Sequence, residues 1–176
     1  AADFKLRDLY IDFYPIDGLW LRVGNQIIAR GESNLLISSD ITNPRDLSTI
    51  GLQDLDDIRL NIPSILAGYN IGSLKQEIIV FLDEKRNKFA GPGTAFDPAA
   101  AFLGASIITN VSPPQDNISY ALRNKILLSG LELDLSFGEY NNKQLSTLSS
   151  SVSGNVTTLV TQQDRILFVG LNGNIV

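Results

Sequence analysis

The sequence predicts an all-β chain: an antiparallel up-and-down β-barrel of the transmembrane kind, with about seven strands of a larger barrel. Three observations predict it. Apolar and polar residues alternate along most of the chain, the period of a strand with one face buried or in lipid. Pairs of such stretches are joined by two-residue links containing Gly, which suit tight antiparallel hairpins. These short links alternate with long polar connections, the layout of barrels with short turns at one end and long loops at the other.

The first hairpin spans 5–28. Leu9, Ile11 and Phe13 share a face, with Asp8, Tyr10, Asp12 and Tyr14 on the other; Pro15-Ile16-Asp17-Gly18 reads as the turn. In the return strand Leu19, Leu21, Val23 and Ile27 alternate with Trp20, Arg22, Gly24 and Gln26. Setting Phe13 opposite Leu19 superposes the apolar faces, places Tyr10 beside Arg22 and puts Asp12 on the diagonal. The second hairpin spans 62–82 around Gly72-Ser73, with Ile71 opposite Leu74, Ala67 opposite Ile78 and Ile65 opposite Val80. The third spans 118–140 around Ser129-Gly130, with Leu128 opposite Leu131, Ile126 opposite Leu133 and Leu122 opposite Phe137. This register sets Lys125 against Asp134, a pair expected to tolerate exchange of its charges. A seventh strand occupies 164–176.

The connections cover 29–60, 83–117 and 141–154. Asn43-Pro44 and Asp97-Pro98 read as helix starts, with a capping side chain followed by Pro at the first helical position. Ser-Thr-Leu-Ser-Ser-Ser-Val-Ser at 146–153 reads as a flexible loop. No second domain is indicated. Alternation alone does not say which face is inside. A soluble β-sandwich would bury the apolar face, whereas a barrel turns it to lipid and lines its lumen with the polar face. The loop asymmetry and the Asp, Arg, Lys, Glu, Tyr and Trp of the polar face favour the barrel, and a soluble sandwich that binds a carbohydrate or protein ligand is the alternative.

Composition narrows the chemistry. The 176 residues are 44% hydrophobic and 19% charged, with a net charge of −5, so no basic stripe offers itself to nucleic acid. The chain has no Cys and no His, which removes thiolate metal sites, cysteine nucleophiles and the commonest general base. No enzyme activity, no cofactor and no metal are expected; Asp54, Asp56 and Asp57 lack the spacing of a calcium loop. No apolar run reaches the length of a transmembrane helix. With no Met anywhere, Ala1 reads as other than a natural start, and an odd strand count points to an incomplete barrel.

Candidate lumen residues are Asp8, Tyr10, Asp12, Trp20, Arg22, Gln26, Arg123, Lys125 and Asp134 on the polar faces, and Glu32, Arg45 and Arg59 in the first long connection. That connection is expected to fold inward over the lumen, with Arg45 as a selectivity charge. For each, the plainer role is an ordinary solvated or paired polar residue.

A family resemblance enters at residues 6–98. Leu6-Arg7-Asp8-Leu9-Tyr10-Ile11-Asp12, followed by Leu19-Trp20-Leu21-Arg22-Val23-Gly24-Asn25-Gln26, resembles a hairpin of a porin-like outer-membrane family of proteobacteria, the domain-of-unknown-function family 1302. Arg30-Gly31-Glu32-Ser33 is similar to its Trp-Gly-Glu-Ser signature with Arg in place of Trp, and Asp40-Ile41-Thr42-Asn43-Pro44-Arg45-Asp46-Leu47 to its Val-Asn-Pro-Arg-Asp motif. Leu55–Pro63 and Gly91–Phe96 fit the stretches that follow. The resemblance implies an outer-membrane location, outer-membrane lipid as partner, periplasmic or outer-membrane transport proteins as candidate further partners, and transport of hydrophobic or lipid-like compounds. Members carry a signal peptide and further strands on both sides, so the chain is expected to be a piece of a longer barrel.

Overall fold

The computed structural model describes residues 7–28, 43–49, 58–83, 85–91, 94, 96–97, 106–112, 118–154 and 156–175. Twelve strands run through them: β1 (Leu9–Ile16), β2 (Leu19–Gln26), β3 (Asp46–Leu47), β4 (Ile62–Ile71), β5 (Leu74–Phe81), β6 (Lys88–Phe89), β7 (Ser106–Val111), β8 (Ser119–Leu128), β9 (Leu131–Asn141), β10 (Ser146–Ser153), β11 (Val156–Gln162) and β12 (Arg165–Ile175). No helix occurs among the described residues.

Seven strands form one sheet in the order β1-β2-β4-β5-β8-β9-β12, with every neighbouring pair antiparallel. This is the expected up-and-down meander, and it is open, with β1 and β12 at its edges. Its strands are 8 to 11 residues long, and four of them reach the roughly 9 to 11 residues with which a tilted strand crosses a hydrocarbon core. The other five strands all lie in the long connections and pair among themselves. β3 lies parallel to β6, and β11 sits between antiparallel β10 and parallel β7. The connections are therefore stitched to one another at one end of the sheet.

The second and third hairpins keep the registers expected from the sequence, including Ile71 with Leu74, Ile65 with Val80, Ile126 with Leu133 and Lys125 with Asp134. β12 completes the sheet through an 11-residue ladder on β9, from Arg165 opposite Asn141 to Ile175 opposite Leu131. The first hairpin differs. Phe13 faces Leu21 rather than Leu19, Asp12 faces Arg22 and Tyr10 faces Gly24. The strand continues through Pro15 to Ile16, and the turn shrinks to Asp17-Gly18, with Gly18 at φ +79°. Pro15 has no N–H to give the ladder, and the register shifts between Phe13 and Ile16 where Tyr14 and Pro15 oppose Trp20 alone. A two-residue difference leaves both faces as read, because the side-chain period is two.

Two further expectations are corrected. Asn43-Pro44 does not begin a helix. The Asn43 amide donates to Ile28 O at 2.8 Å and its oxygen accepts from Ile28 N at 3.2 Å, so it clamps a strand end rather than capping a helix. Arg45 then bridges Arg59, and Leu60 N donates to Pro44 O at 2.8 Å, fixing this segment as extended chain. The serine-rich stretch is strand β10, because its every-second-residue pattern is satisfied by pairing with β11. The segment after Asp97, where a second helix start was read, lies outside the described residues, as do Asp54, Asp56 and Asp57.

Candidate functional site on the polar face of the sheet

Residues paired across adjacent strands point to the same face, so the ladders sort the whole sheet. One face carries Leu9, Ile11, Phe13, Leu21, Ile78, Ile126, Leu135, Phe137, Leu167, Val169 and Leu171. These are exposed or half-buried: Ile11 63%, Val169 68% and Leu171 73%. The opposite face holds Asp134, Ser136 and Gln26, at 8%, 6% and 1%. Large apolar side chains are thus exposed on one face while polar ones are buried on the other.

The polar face has two halves. Toward the long connections it is covered: Ile62, Leu66, Ile79, Phe81 and Ala121 form an apolar cluster with Ile28, and Trp20 packs against it. Ile28 is the residue whose main chain Asn43 clamps, which ties Asn43 of the first long connection to the end of β2. Between them, Gln26 donates to the Ser64 hydroxyl at 2.9 Å, so two buried polar side chains answer each other. Toward the short turns the face is charged. Arg22 donates to both oxygens of Asp12, at 2.6 and 2.9 Å, with the Tyr10 ring 3.9 Å from its guanidinium carbon. Lys75 lies 2.9 Å from Glu77, and Arg123 reaches Glu77 at 3.7 Å. Arg123 Nε donates to Asp134 Oδ2 at 2.6 Å, and its Nη2 contacts the same oxygen. Lys125 lies 2.5 Å from Glu132.

The Lys125–Asp134 pairing thus holds as a backbone register, while the ion pairs run along diagonals, Arg123 to Asp134 and Lys125 to Glu132. A guanidinium offers several N–H groups in a fixed fork and so takes the buried carboxylate. At the border of the two halves lies a cavity of about 430 Å³. Its lining mixes the charged Arg22, Lys75, Glu77 and Arg123 with Tyr14, Trp20, Leu66 and Ile79. Trp20 lies flat because its cross-strand partner is Gly68, where an added Cβ would overlap the indole. Lys75 Nζ stands 5.8 Å from the Trp20 ring.

Of the residues singled out from sequence, Tyr10, Asp12, Trp20, Arg22, Gln26, Arg123, Lys125 and Asp134 share this face. Asp8 instead ties strand ends together, accepting from Ile27 N at 2.9 Å. Arg45 and Arg59 bridge each other in the connections, and neither lines the cavity. Glu32 lies outside the described residues. Sequence reading passed over Lys75, Glu77 and Glu132. The parity of their strands could have found them: Lys75 and Glu77 face the same side as Lys125, and Glu132 the same side as Asp134.

Among the described residues no cluster of His, Cys, Asp or Glu is arranged to hold a metal ion. What the face offers is paired charge and an aromatic wall. It defines an all-β protein with a meandering antiparallel sheet whose large apolar side chains are exposed on one face. The chain belongs to the family described as protein of unknown function DUF1302, whose profile matches residues 1–171, well past the stretch carrying the sequence motifs. No curated protein and no solved structure matches it.

Proposed function

We propose that the chain forms part of an outer-membrane β-barrel acting as a channel or transporter. The apolar face of the seven-stranded sheet lies against outer-membrane lipid, and the polar face lines the lumen. One observation carries this reading: burial is inverted across the sheet, with Leu171 73% exposed and Asp134, its neighbour across the β9–β12 ladder by one position, 8% exposed. Hydrocarbon has no objection to the first and a lumen suits the second. The same inversion weighs against a soluble sandwich, whose stability would need the apolar face as its core. Hydrocarbon also leaves unpaired backbone groups unsatisfied, so the open edges at β1 and β12 call for further strands to close the barrel.

The cargo follows from the lining. The lumen charges come in pairs, so they favour neither ion sign strongly. Beside them, Trp20, Tyr14, Leu66 and Ile79 offer apolar surface in the same cavity. A mixed lining suits hydrophobic or lipid-like compounds with a polar group, as the family resemblance implies. Periplasmic or outer-membrane transport proteins are its natural partners, and no chemical step is required. The test is reconstitution of the complete protein in planar bilayers and liposomes. Discrete conductance steps are expected, with ion preference shifted toward cations when Arg22 and Arg123 are changed to Gln. A protein that stays monodisperse in water, without detergent, and gives no conductance would refute the proposal.

A further inference from the structure

A second cavity, of about 800 Å³, lies at the long-connection end of the sheet, and its described lining shares no residue with the one on the polar face. Three connections build it, since Leu60 precedes β4, residues 83–89 follow β5 and Lys143 follows β9. Asn87 holds it together: its N–H donates to Lys143 O at 3.0 Å, and its side-chain oxygen accepts from Arg45 N at 2.8 Å. The walls are bound to each other by main-chain hydrogen bonds rather than left as free loops.

Among the described residues, four cations line this cleft, Lys85, Arg86, Lys88 and Lys143, against the carboxylate of Asp83. In a chain of net charge −5 that is a local reversal of sign. Lys88 pairs with Asp46 at 3.1 Å, whereas Lys85 donates to neutral oxygens of Asn61 at 3.0 and 3.3 Å. Arg86 is exposed and makes no ion pair among the described residues. Beside these cations the wall is apolar: Leu60, Leu145 and Phe89, the last 51% exposed. An exposed aromatic ring beside a cluster of cations, in a cavity large enough for a small organic molecule, is the pattern of a ligand site.

We propose that this cleft binds an amphipathic organic anion, a phosphate or carboxylate head on an apolar body. Arg86 and Lys85 take the head, the guanidinium through paired N–H donors, and Phe89 with Leu145 covers the body. The site sits where a barrel's long loops meet the outside, but its chemistry does not depend on the lumen reading and can fail or stand separately. Phenyl phosphate is a suitable probe because it is soluble and joins both features. Titrated calorimetrically into the folded protein in zwitterionic micelles at low salt, it should bind saturably, and added salt should weaken it. Arg86→Gln should weaken binding about tenfold. Phe89→Ala should weaken phenyl phosphate by a similar factor and leave inorganic phosphate unaffected, with the β-sheet circular dichroism of both variants unchanged. Phosphatidylglycerol mixed into the micelles should compete if the natural anion is lipid-borne, and should not if it is a free solute. Absence of saturable binding up to about 10 mM, or an unaltered affinity in folded Arg86→Gln, would overturn the site.

Discussion

Along β9, Asp134, Ser136 and Gly138 are buried while Leu135 and Phe137 between them are 49% and 40% exposed. The two faces of one strand are thus governed by different physics. On the inner face each polar group needs a partner, because leaving a buried charge unanswered costs more than a hydrogen bond gains. On the other face large apolar side chains stand exposed, a placement that the proposed contact with lipid would favour. The comparison teaches that the ladder and the ion pairs order the polar side of this sheet, while its apolar side is the one that the proposed function has to account for.

The largest expected break in that comparison comes from charge on the outer face. Leu135→Arg should destabilise the protein in lipid vesicles by about 2–4 kcal/mol if it lies near the bilayer midplane. Leu127→Arg, on the inner face opposite Glu132, should change stability by less than about 1 kcal/mol. Urea unfolding in vesicles measures both, and equal costs would erase the distinction between faces.

Next comes the buried carboxylate. Arg123→Gln removes the cation that holds Asp134 and should cost about 1–3 kcal/mol. The diagonal pairing also reverses the expectation of a tolerant Lys125–Asp134 exchange. Lys125→Asp with Asp134→Lys would set a cation beside Arg123 and an anion beside Glu132. Arg123→Asp with Asp134→Arg would likewise set an anion opposite Glu77 and a cation opposite Lys125, so neither exchange should be tolerated, and double-mutant cycles should give the larger coupling to Arg123–Asp134. Smaller again is Gly68→Ala, which displaces the Trp20 indole from its place over the strand. About 1 kcal/mol and a shift in tryptophan emission are expected, since Trp20 is the chain's single tryptophan.

The smallest effect belongs to the connections. Hydrogen bonds from Ser146 and Gln162 hold the Asp164 carboxyl below the usual carboxylate range, with burial opposing weakly. Its contribution to closing the β10–β11 hairpin is complete at pH values above that ordinary range and is lost as pH falls through the lowered value. Amide exchange in β10 should therefore accelerate in acid, and Asp164→Asn should remove the dependence.

The main sheet was legible in the sequence because its hairpins carry two consistent signals, parity and a Gly-containing link. Where one signal was distorted, the reading slipped: Pro15 looked like the turn, though it occupies a bulge one step before it. Lys75 and Glu77 escaped notice because their strand is irregular by pattern. Gln76 interrupts its apolar side, and Ile79 and Phe81 stand among the charges to cover the inner core. The strands of the connections were illegible for a deeper reason. β3 pairs with β6 and β7 with β11 across long sequence separations, and a local pattern carries no information about such partners. Asn43 followed by Pro44 had the form of a helix start, yet tertiary contact with Ile28 decided its use.

The claim that the apolar face is the outer one can be measured directly on β9. The chain contains no Cys, so single cysteines at 132 to 137 can each carry a spin label without a background. In lipid vesicles, labels at 133, 135 and 137 should collide with dissolved oxygen, and labels at 132, 134 and 136 with a water-soluble nickel chelate, the two accessibilities alternating out of phase. Labels at 135 and 137 that are immobile and shielded from both reagents would show the apolar face to be an interior core and would contradict the account.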